Sequence, residues 1–201
     1  MYRKDLKQEF YTKKAKLEGY PARSVYKLEE IDKKFKIFKK GDFVLDLGSA
    51  PGSWLLYISK KIGEQGRVLG VDTESLKIKP GKNVLFLKKS IFDLDNSDIG
   101  RFGRKFDCIV ADLSPKTSGI KIADVARSLE LSEKSLDIAA KTLAIGGNFV
   151  CKIFESELSK EFLKEVSKYF KSVKIFKPKA VFKRSREFYV VAKEFKGKVK
   201  L

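Results

Sequence analysis

Residues 44–54 read Val-Leu-Asp-Leu-Gly-Ser-Ala-Pro-Gly-Ser-Trp, and this stretch decides the predicted fold. Its first four residues are mostly apolar and β-prone, as in a strand that is buried on both faces of a parallel sheet. Gly48 and Gly52 allow the backbone to turn sharply and to approach a ligand. Apolar residues recur with helical spacing from Trp54 onward. The stretch therefore predicts a strand, a turn and a helix, with space for a ligand at the carboxyl end of the strand.

The spacing within the turn excludes two ligand classes. A phosphate-binding P-loop needs Lys followed by Ser or Thr after its second glycine, and no such pair follows here. The dinucleotide fingerprint would place glycines where Ala50 and Ser53 stand. Asp46 would repel a pyrophosphate, whereas a carboxylate suits a cationic ligand such as an ammonium or a sulfonium group. The competing interpretation is an ordinary strand-to-helix turn that binds nothing.

The composition predicts a single globular domain. With 201 residues, of which 43% are hydrophobic, the chain can bury one sizeable core. It has no signal-like or membrane-length apolar run, so we expect a cytoplasmic protein. Cys108 and Cys151 lie in apolar runs and are expected to be buried thiols. Because the sequence contains no histidine, acid–base chemistry has to use Lys, Asp, Glu, Tyr or Cys.

The net charge of +18 is concentrated at the two ends of the chain. Residues 1–40 contain 13 Lys and Arg against 6 Asp and Glu, and residues 171–201 contain 11 against 2. We therefore expect a basic N-terminal extension over 1–22, a basic tail over 194–201, and a polyanionic partner such as nucleic acid. A general lysine bias is the alternative, although it would not explain the nearly neutral middle.

Strands and helices alternate along the sequence, which is typical of an α/β protein with a doubly wound, mostly parallel sheet. Seven strands are expected, over 43–47, 67–71, 84–87, 106–111, 148–153, 172–176 and 187–193. Helices are expected over 24–38, 53–62, 124–143 and 157–170, with Asp124 as an N-cap and with Gly146-Gly147 as a turn before the fifth strand. Only a loop separates the last two strands, so one strand should run antiparallel to the rest.

Acidic residues lie at the carboxyl ends of several of these strands, where ligands bind in such sheets. Asp46, Asp72 and Asp112 share this placement. Asp72 is expected to hold ribose hydroxyls of an adenosine-type ligand, and Asp93 to meet the adenine edge. Each residue by itself is also compatible with a turn or a helix cap.

Lys152 is the most unusual residue of the sequence, because it lies within the apolar run Asn-Phe-Val-Cys-Lys-Ile-Phe over 148–154. A buried lysine is normally paired. Asp112 ends the neighbouring strand, so an ion pair at the mouth of the site is expected. The alternative is a lysine that extends to solvent from the strand end.

Five motifs occur in order along the chain: Arg-Ser-Val-Tyr-Lys-Leu over 23–28, Asp-Leu-Gly-Ser-Ala-Pro-Gly-Ser-Trp over 46–54, Asp-Leu-Ser-Pro over 112–115, Cys-Lys-Ile-Phe over 151–154 and Ser-Arg-Glu-Phe-Tyr over 185–189. Together they resemble the FtsJ/RrmJ family of S-adenosylmethionine-dependent RNA ribose 2′-O-methyltransferases. The resemblance covers residues 20–193 and implies a Rossmann-like class I methyltransferase fold. In this fold, helices cover both faces of the sheet. The resemblance also implies S-adenosylmethionine as cofactor.

The resemblance further implies the functional residues. A Lys-Asp-Lys-Glu catalytic tetrad would comprise Lys27, Asp112, Lys152 and Glu187. The cofactor pocket would comprise Asp46, Gly48, Ser49, Ala50, Pro51, Gly52, Trp54, Asp72, Asp93 and Asp112. RNA phosphates would meet Arg23, Lys183, Arg184 and Arg186. Lys116 and Glu155 depart from the family pattern and bear on substrate contacts more than on the chemistry.

The mechanism that the resemblance implies leaves two roles open for Lys152. A neutral Lys152 would accept the proton of the ribose hydroxyl, whereas a protonated Lys152 would steer the hydroxyl and leave the proton to solvent. No metal is expected, and a monomer suffices.

The target is expected to be a uridine of large-subunit ribosomal RNA, with transfer RNA as the alternative and an mRNA cap as a further family target. Three other functions compete with RNA methylation. They are methylation of a small molecule or protein, RNA binding without catalysis, and nucleotide-dependent catalysis.

Overall fold

A computed structural model describes residues 4–100, 102–115, 118–182 and 185–197. The strands are β1 (Phe43–Leu47), β2 (Arg67–Asp72), β3 (Val84–Lys88), β4 (Phe106–Ala111), β5 (Leu143–Phe154), β6 (Phe170–Phe176) and β7 (Glu187–Phe195). The helices are α1 (Lys4–Leu17), α2 (Val25–Phe35), α3 (Ser53–Ile62), α4 (Asn96–Gly100), α5 (Lys121–Thr142) and α6 (Glu157–Tyr169), with a 3₁₀ turn over Ile91–Asp93.

The strands form one sheet in the spatial order β3-β2-β1-β4-β5-β7-β6. The first five strands of this order run parallel, and β7 runs antiparallel to both of its neighbours. The predicted seven-stranded sheet with one antiparallel strand is therefore confirmed. The chain leaves β1 towards one edge of the sheet and continues from β4 towards the other. This reversal opens a crevice between the carboxyl ends of β1 and β4, where ligands bind in such folds.

Successive side chains of β1 point to opposite faces of the sheet and pack in two different apolar cores. Leu45 packs in the core that lies against α5 and α6, whereas Val44 packs in the core against α2 and α3. Both side chains are completely buried. Full burial of such a side chain contributes about 1.5–3 kcal/mol, so the two layers hold the strand ends in fixed positions.

Local sequence signals set the helices that flank the sheet. Ser156 and Ser159 form a capping box at the start of α6, and Phe162 and Val166 follow on its buried face. In α2, Leu28 and Ile31 are fully buried, and the helix ends where Lys36 adopts a left-handed conformation. The buried face of α2 packs in the same apolar core as α3.

Helix α1 lies within the segment 1–22, and β7 continues to Phe195. The structure corrects two predictions. Asp124 is not an N-cap: α5 begins at Lys121, and the Asp124 carboxylate accepts hydrogen bonds from the backbone and hydroxyl of Ser118. Gly146-Gly147 does not precede β5. These glycines lie inside β5 where its register against β4 shifts, because a bulge needs the positive φ of Gly146.

Candidate active site

The turn after β1 packs closely against the segment that follows β4. Gly48 has φ +81°, and its N–H donates a 2.9 Å hydrogen bond to the carbonyl of Val71. A Cβ on Gly48 would lie 3.0–3.2 Å from atoms of Leu113. Both the positive φ and the close approach therefore require glycine at the mouth of the crevice.

A cavity of about 310 Å³ opens beside this turn. Its wall comprises Gly48, Ala50, Asp72, Thr73, Lys89, Ser90, Ile91, Phe92, Asp112, Leu113, Ser114 and Leu131. Gly48, Ala50, Asp72 and Asp112 were predicted to bind the cofactor. The structure thus brings the ends of β1, β2 and β4 together around one space.

Asp72 is fixed at the rim of the cavity by two backbone groups. Its Oδ2 accepts from the N–H of Ala50 at 2.9 Å, and its Oδ1 accepts from the N–H of Glu74 at 2.8 Å. A carboxylate oxygen can accept more than one hydrogen bond. Asp72 can therefore still receive hydroxyl groups of a ligand.

The other predicted cofactor residues do not belong to the described wall. They are Asp46, Ser49, Pro51, Gly52, Trp54 and Asp93. The Trp54 indole is buried and donates to the carbonyl of Ser24 at 2.9 Å, so it joins α3 to the start of α2. Asp93 is exposed at the end of the 3₁₀ turn, and Ile91 and Phe92 face the cavity in its place. The apolar character of these two residues did not distinguish them from core residues in the sequence.

Asp46 lies directly behind the wall and is completely buried. Neither of its carboxylate oxygens, nor the hydroxyl of Ser49, has a hydrogen-bond partner among the described residues. Burial raises the pKa of Asp46 well above its ordinary value, and the neighbouring carboxylates of Asp112 and Asp72 raise it further. Buried polar atoms without partners are costly and are rare unless a ligand or water serves them.

These features fit S-adenosylmethionine. Asp72 offers acceptors for ribose hydroxyls, Ile91 and Phe92 offer an apolar surface for a base, and the ionised carboxylate of Asp112 favours a cationic group. The residues that would hold this cofactor are thus present in the chain.

Lys152 and Asp112 form the ion pair expected at the mouth of the site. The parallel register of β4 and β5 pairs Ala111 with Cys151 and so places the next two residues side by side. The Nζ of Lys152 lies 3.2 Å from Oδ1 of Asp112 and donates to the Asp112 carbonyl at 3.1 Å. The Lys152 side chain is only 4% exposed, so it does not extend to solvent.

Lys27 and Glu187 form a second ion pair, with 2.6 Å between Nζ and Oε1. Lys27 lies on α2 and Glu187 begins β7, so the tertiary fold brings them together. Burial lowers the pKa of Lys27, but the carboxylates of Asp112 and Glu187 outweigh it, and the pKa is raised above its ordinary value. Lys27 is therefore an ammonium ion.

Asp112 connects the two pairs electrostatically. Burial raises the pKa of Asp112, but Lys152 and Lys27, together with a hydrogen bond from Tyr189, hold it below its ordinary value. The carboxylate is therefore ionised between two lysines, and the four residues of the predicted tetrad form one cluster.

Tyr189 is a contact of this cluster that the sequence analysis did not single out. It is completely buried, lies opposite Lys152 in the antiparallel register, and donates its hydroxyl to Oδ1 of Asp112 at 2.7 Å. One signal in the sequence could have identified Tyr189: it is a hydroxyl-bearing residue within the otherwise apolar run Phe-Tyr-Val-Val-Ala over 188–192.

The predicted RNA-contacting residues are placed in part. Arg23 stacks on the ring of Phe182, 4.0 Å from its centroid. Arg186 donates to the carbonyl of Glu155 at 2.9 Å. Lys183 and Arg184 lie outside the described residues, as does Lys116.

Three further observations concern other function classes. In the part of the chain that the structure describes, no helix is long and apolar enough to cross a membrane. Those same residues contain no group of three or more Cys, Asp or Glu side chains arranged to hold a metal ion. Cys108 and Cys151 are free, buried thiols, as the sequence predicted.

Comparisons with known proteins agree with this geometry. A family model described as FtsJ-like methyltransferase matches residues 20–195. A protein of Desulfatibacillum aliphaticivorans named Ribosomal RNA large subunit methyltransferase E is 46% identical, over 96% of this chain and 94% of its own length. A protein of the same name from Bdellovibrio bacteriovorus is also 46% identical, over 92% of this chain and 95% of its own.

A solved structure gives the same result for the fold. A Plasmodium falciparum chain described as a ribosomal RNA methyltransferase has a TM-score of 0.80 and 28% identity, covering 89% of this chain and all of that chain. The family match spans the sheet, the cavity and both ion pairs. The protein therefore belongs to the FtsJ-like methyltransferase family, enzymes that take their methyl group from S-adenosylmethionine.

Proposed function

We propose that the protein methylates a ribose 2′-hydroxyl of RNA, and that its target is a uridine of large-subunit, 23S-type ribosomal RNA. The observation that carries the proposal is the convergence of the Lys152–Asp112 and Lys27–Glu187 pairs beside the cavity that Asp112 lines. The names of the relatives support ribosomal RNA as the target.

Lys152 is the residue that positions the reacting hydroxyl. Its Nζ already lies within reach of a carboxylate oxygen and a carbonyl oxygen of Asp112. A protonated amine has three N–H groups, so one remains to hold the hydroxyl oxygen of the substrate. Bound S-adenosylmethionine supplies an electrophilic methyl group on a sulfonium centre.

Asp112, Lys27 and Glu187 keep this arrangement in place. The Asp112 carboxylate fixes Lys152, and the Lys27–Glu187 pair closes the opposite side of the cluster. Fixed geometry of this kind can supply much of the acceleration in a reaction whose electrophile is already activated. In this positioning role Lys152 accepts no proton, so the hydroxyl proton leaves to solvent.

The basic ends of the chain supply the contacts to RNA. Arg23 and Arg186 lie near the Lys27–Glu187 pair, since Arg23 contacts the segment that leads into β7 and Arg186 directly precedes Glu187. Together with Lys183 and Arg184 they would bind phosphates and so set the register of the target nucleotide.

Transfer of a labelled methyl group tests the proposal. The protein is incubated with labelled S-adenosylmethionine and either large ribosomal subunits lacking the modification, free ribosomal RNA or transfer RNA. We expect nuclease-sensitive label in ribosomal RNA, at one uridine whose 3′ linkage resists alkaline hydrolysis. Label in transfer RNA alone would reassign the target, and nuclease-resistant label would indicate a substrate other than RNA.

We further propose that the chain acts as a single-domain monomer in the cytoplasm. All four residues of the tetrad come from one chain, so the cluster does not need a second copy. Light scattering of the active protein would give the mass of a dimer if the proposal of a monomer is wrong. Cell fractionation would test the proposed location beside the ribosomes.

A further inference from the structure

One face at the N-terminal end of α2 contacts the segment between β6 and β7 at three points. The described residues 177–182 and 185–186, here called the basic segment, contain Lys177, Lys179 and Arg186. Arg23, Lys27 and Glu30 are spaced by four and three residues, which places them along one side of α2 and its entry. Each of the three contacts the basic segment or the residue that follows it.

Glu30 makes the contact at the start of the segment. Its Oε2 accepts from the N–H of Lys179 at 2.7 Å, and its Oε1 accepts from the N–H of Ala180 at 3.0 Å. A carboxylate that binds two successive backbone N–H groups fixes both the position and the orientation of that turn. The turn is closed by a hydrogen bond from Val181 to the carbonyl of Pro178.

The same turn is anchored by apolar burial. Ala180 and Val181 are buried in the core that lies against α2 and α3. The N–H groups of Lys179 and Ala180 have no helix or strand partner of their own, so Glu30 is the described residue that satisfies them. Glu30 is thus a specific link between α2 and the basic segment.

The other two contacts hold the middle and the end of the segment. Arg23 stacks on Phe182, and Lys27 pairs with Glu187 directly after the segment. One helix therefore carries both a tetrad residue and the group that holds the RNA-contacting segment.

We infer that Glu30 is a positioning residue for RNA: it holds the basic segment at a fixed distance from the Lys27–Glu187 pair, so that phosphate contacts place the target ribose at the tetrad. The inference rests on the proposed function. Glu30 touches neither the cavity nor the reacting atoms, so its effect should fall on RNA and not on S-adenosylmethionine.

Glu30→Ala and Glu30→Gln test this role, with Glu29→Ala and Glu29→Gln as matched controls. Glu29 is the adjacent carboxylate on α2, and it pairs with Lys33 across 2.8 Å instead of binding the segment. We expect Glu30→Ala to raise the KM for ribosomal RNA about tenfold, as for the loss of one charge-assisted contact. Glu30→Gln, which keeps one acceptor oxygen, should be intermediate.

Two further readouts separate positioning from general stability. Hydrogen exchange should show loss of protection at the amides of Lys179 and Ala180 in both Glu30 variants, with the remainder of the sheet still protected. In both Glu30 variants, the dissociation constant for S-adenosylmethionine should stay within about twofold of wild type. In both Glu29 variants, the KM for ribosomal RNA should also stay within about twofold of wild type.

An unchanged KM for RNA in a Glu30 variant that has lost amide protection would overturn the inference. An equal rise of KM in the Glu29 variants would also overturn it, because charge alone would then be responsible. If the wild type transfers no methyl group to ribosomal RNA, the proposed function fails separately. Binding of in vitro transcribed ribosomal RNA then decides the inference: Glu30→Ala must weaken it, and unchanged binding rejects it.

Discussion

The hydroxyl of Tyr189 donates a 2.7 Å hydrogen bond to Oδ1 of Asp112, the same oxygen that lies 3.2 Å from Nζ of Lys152. Burial raises the pKa of Tyr189 well above its ordinary value, and the carboxylates of Asp112 and Glu187 raise it further. The phenol therefore remains a donor. The bond restricts Asp112 to one orientation, and Asp112 in turn orients Lys152.

Tyr189→Phe removes this donor and leaves the ring in place. We expect a loss of about 1–3 kcal/mol in the free energy of unfolding, because a buried ionised acceptor loses a partner. We also expect a several-fold lower kcat with an unchanged KM for RNA. Tyr57→Phe is the matched control. The hydroxyl of Tyr57 donates a 2.9 Å hydrogen bond to buried Asp32, and neither residue lines the cavity. Equal effects of both variants on kcat would show that only stability matters.

Lys152→Arg distinguishes the two roles of Lys152, since arginine keeps the charge but cannot deprotonate. If Lys152 positions the hydroxyl, the arginine variant should retain measurable turnover, whereas Lys152→Ala should lose about 10²–10⁴-fold. The rate is measured against pH for all three proteins. If Lys152→Arg binds RNA normally but is as slow as Lys152→Ala at every pH, the result would favour Lys152 as a general base.

Asp72→Asn and Asp93→Asn separate the two carboxylates that were both predicted to bind the cofactor. Asp72 lines the cavity, whereas Asp93 is exposed outside the described wall. We expect Asp72→Asn to weaken S-adenosylmethionine binding about tenfold or more, and Asp93→Asn to change it less than twofold. Calorimetric titration measures both constants. A larger effect at Asp93 would mean that the wall rearranges around the ligand.

Asp46 predicts a pH dependence of stability. Its pKa is raised in the folded state, so the folded protein binds more protons than the unfolded chain once the pH exceeds the ordinary value of 3.8. Stability contributed by this group is therefore lost as the pH rises towards the raised pKa. The free energy of unfolding of wild type relative to Asp46→Asn should fall as the pH is raised above the ordinary value of 3.8. A difference that stays constant over that rise would contradict the raised pKa.

Salt should separate RNA binding from cofactor binding. Phosphate contacts release counterions, so the affinity for ribosomal RNA should fall steeply between 50 and 200 mM salt, by roughly 10³-fold or more for six or more contacts. Binding of S-adenosylmethionine should barely change. Arg186→Ala should reduce by about one the slope of the logarithm of the RNA affinity against the logarithm of the salt concentration. Equal insensitivity of RNA and cofactor to salt would argue against the basic ends as the RNA surface.

The strand and turn over 44–54 could be predicted from the sequence because their signals are local. The apolar run of β1, the glycine at 48 and the helical spacing after Trp54 act over a few residues. The seven strands, and one antiparallel strand among the last two, followed from the same kind of pattern. Helix α1 was not predicted, because its contact with the core relies on isolated residues such as Ala15 and Tyr11 and not on a continuous apolar stripe.

The candidate site could be predicted only in part. Lys27 and Glu187 are separated by most of the chain, and only the family resemblance indicated that they meet. Asp93 and Asp46 could not be placed from the sequence either, because a carboxylate near the end of a strand or turn does not reveal whether the backbone directs it towards solvent, cavity or core.

The sequence by itself determined the α/β class, the glycine-rich turn and the basic ends, since periodicity, backbone freedom and charge are properties of residues and their spacing. Only the tertiary structure decided which side chains contact one another and which are buried. It buried Asp46 behind the cavity, set Tyr189 against Asp112, and joined Glu30 to the basic segment. Those contacts depend on strand register and helix packing, which bring together residues that are far apart along the chain.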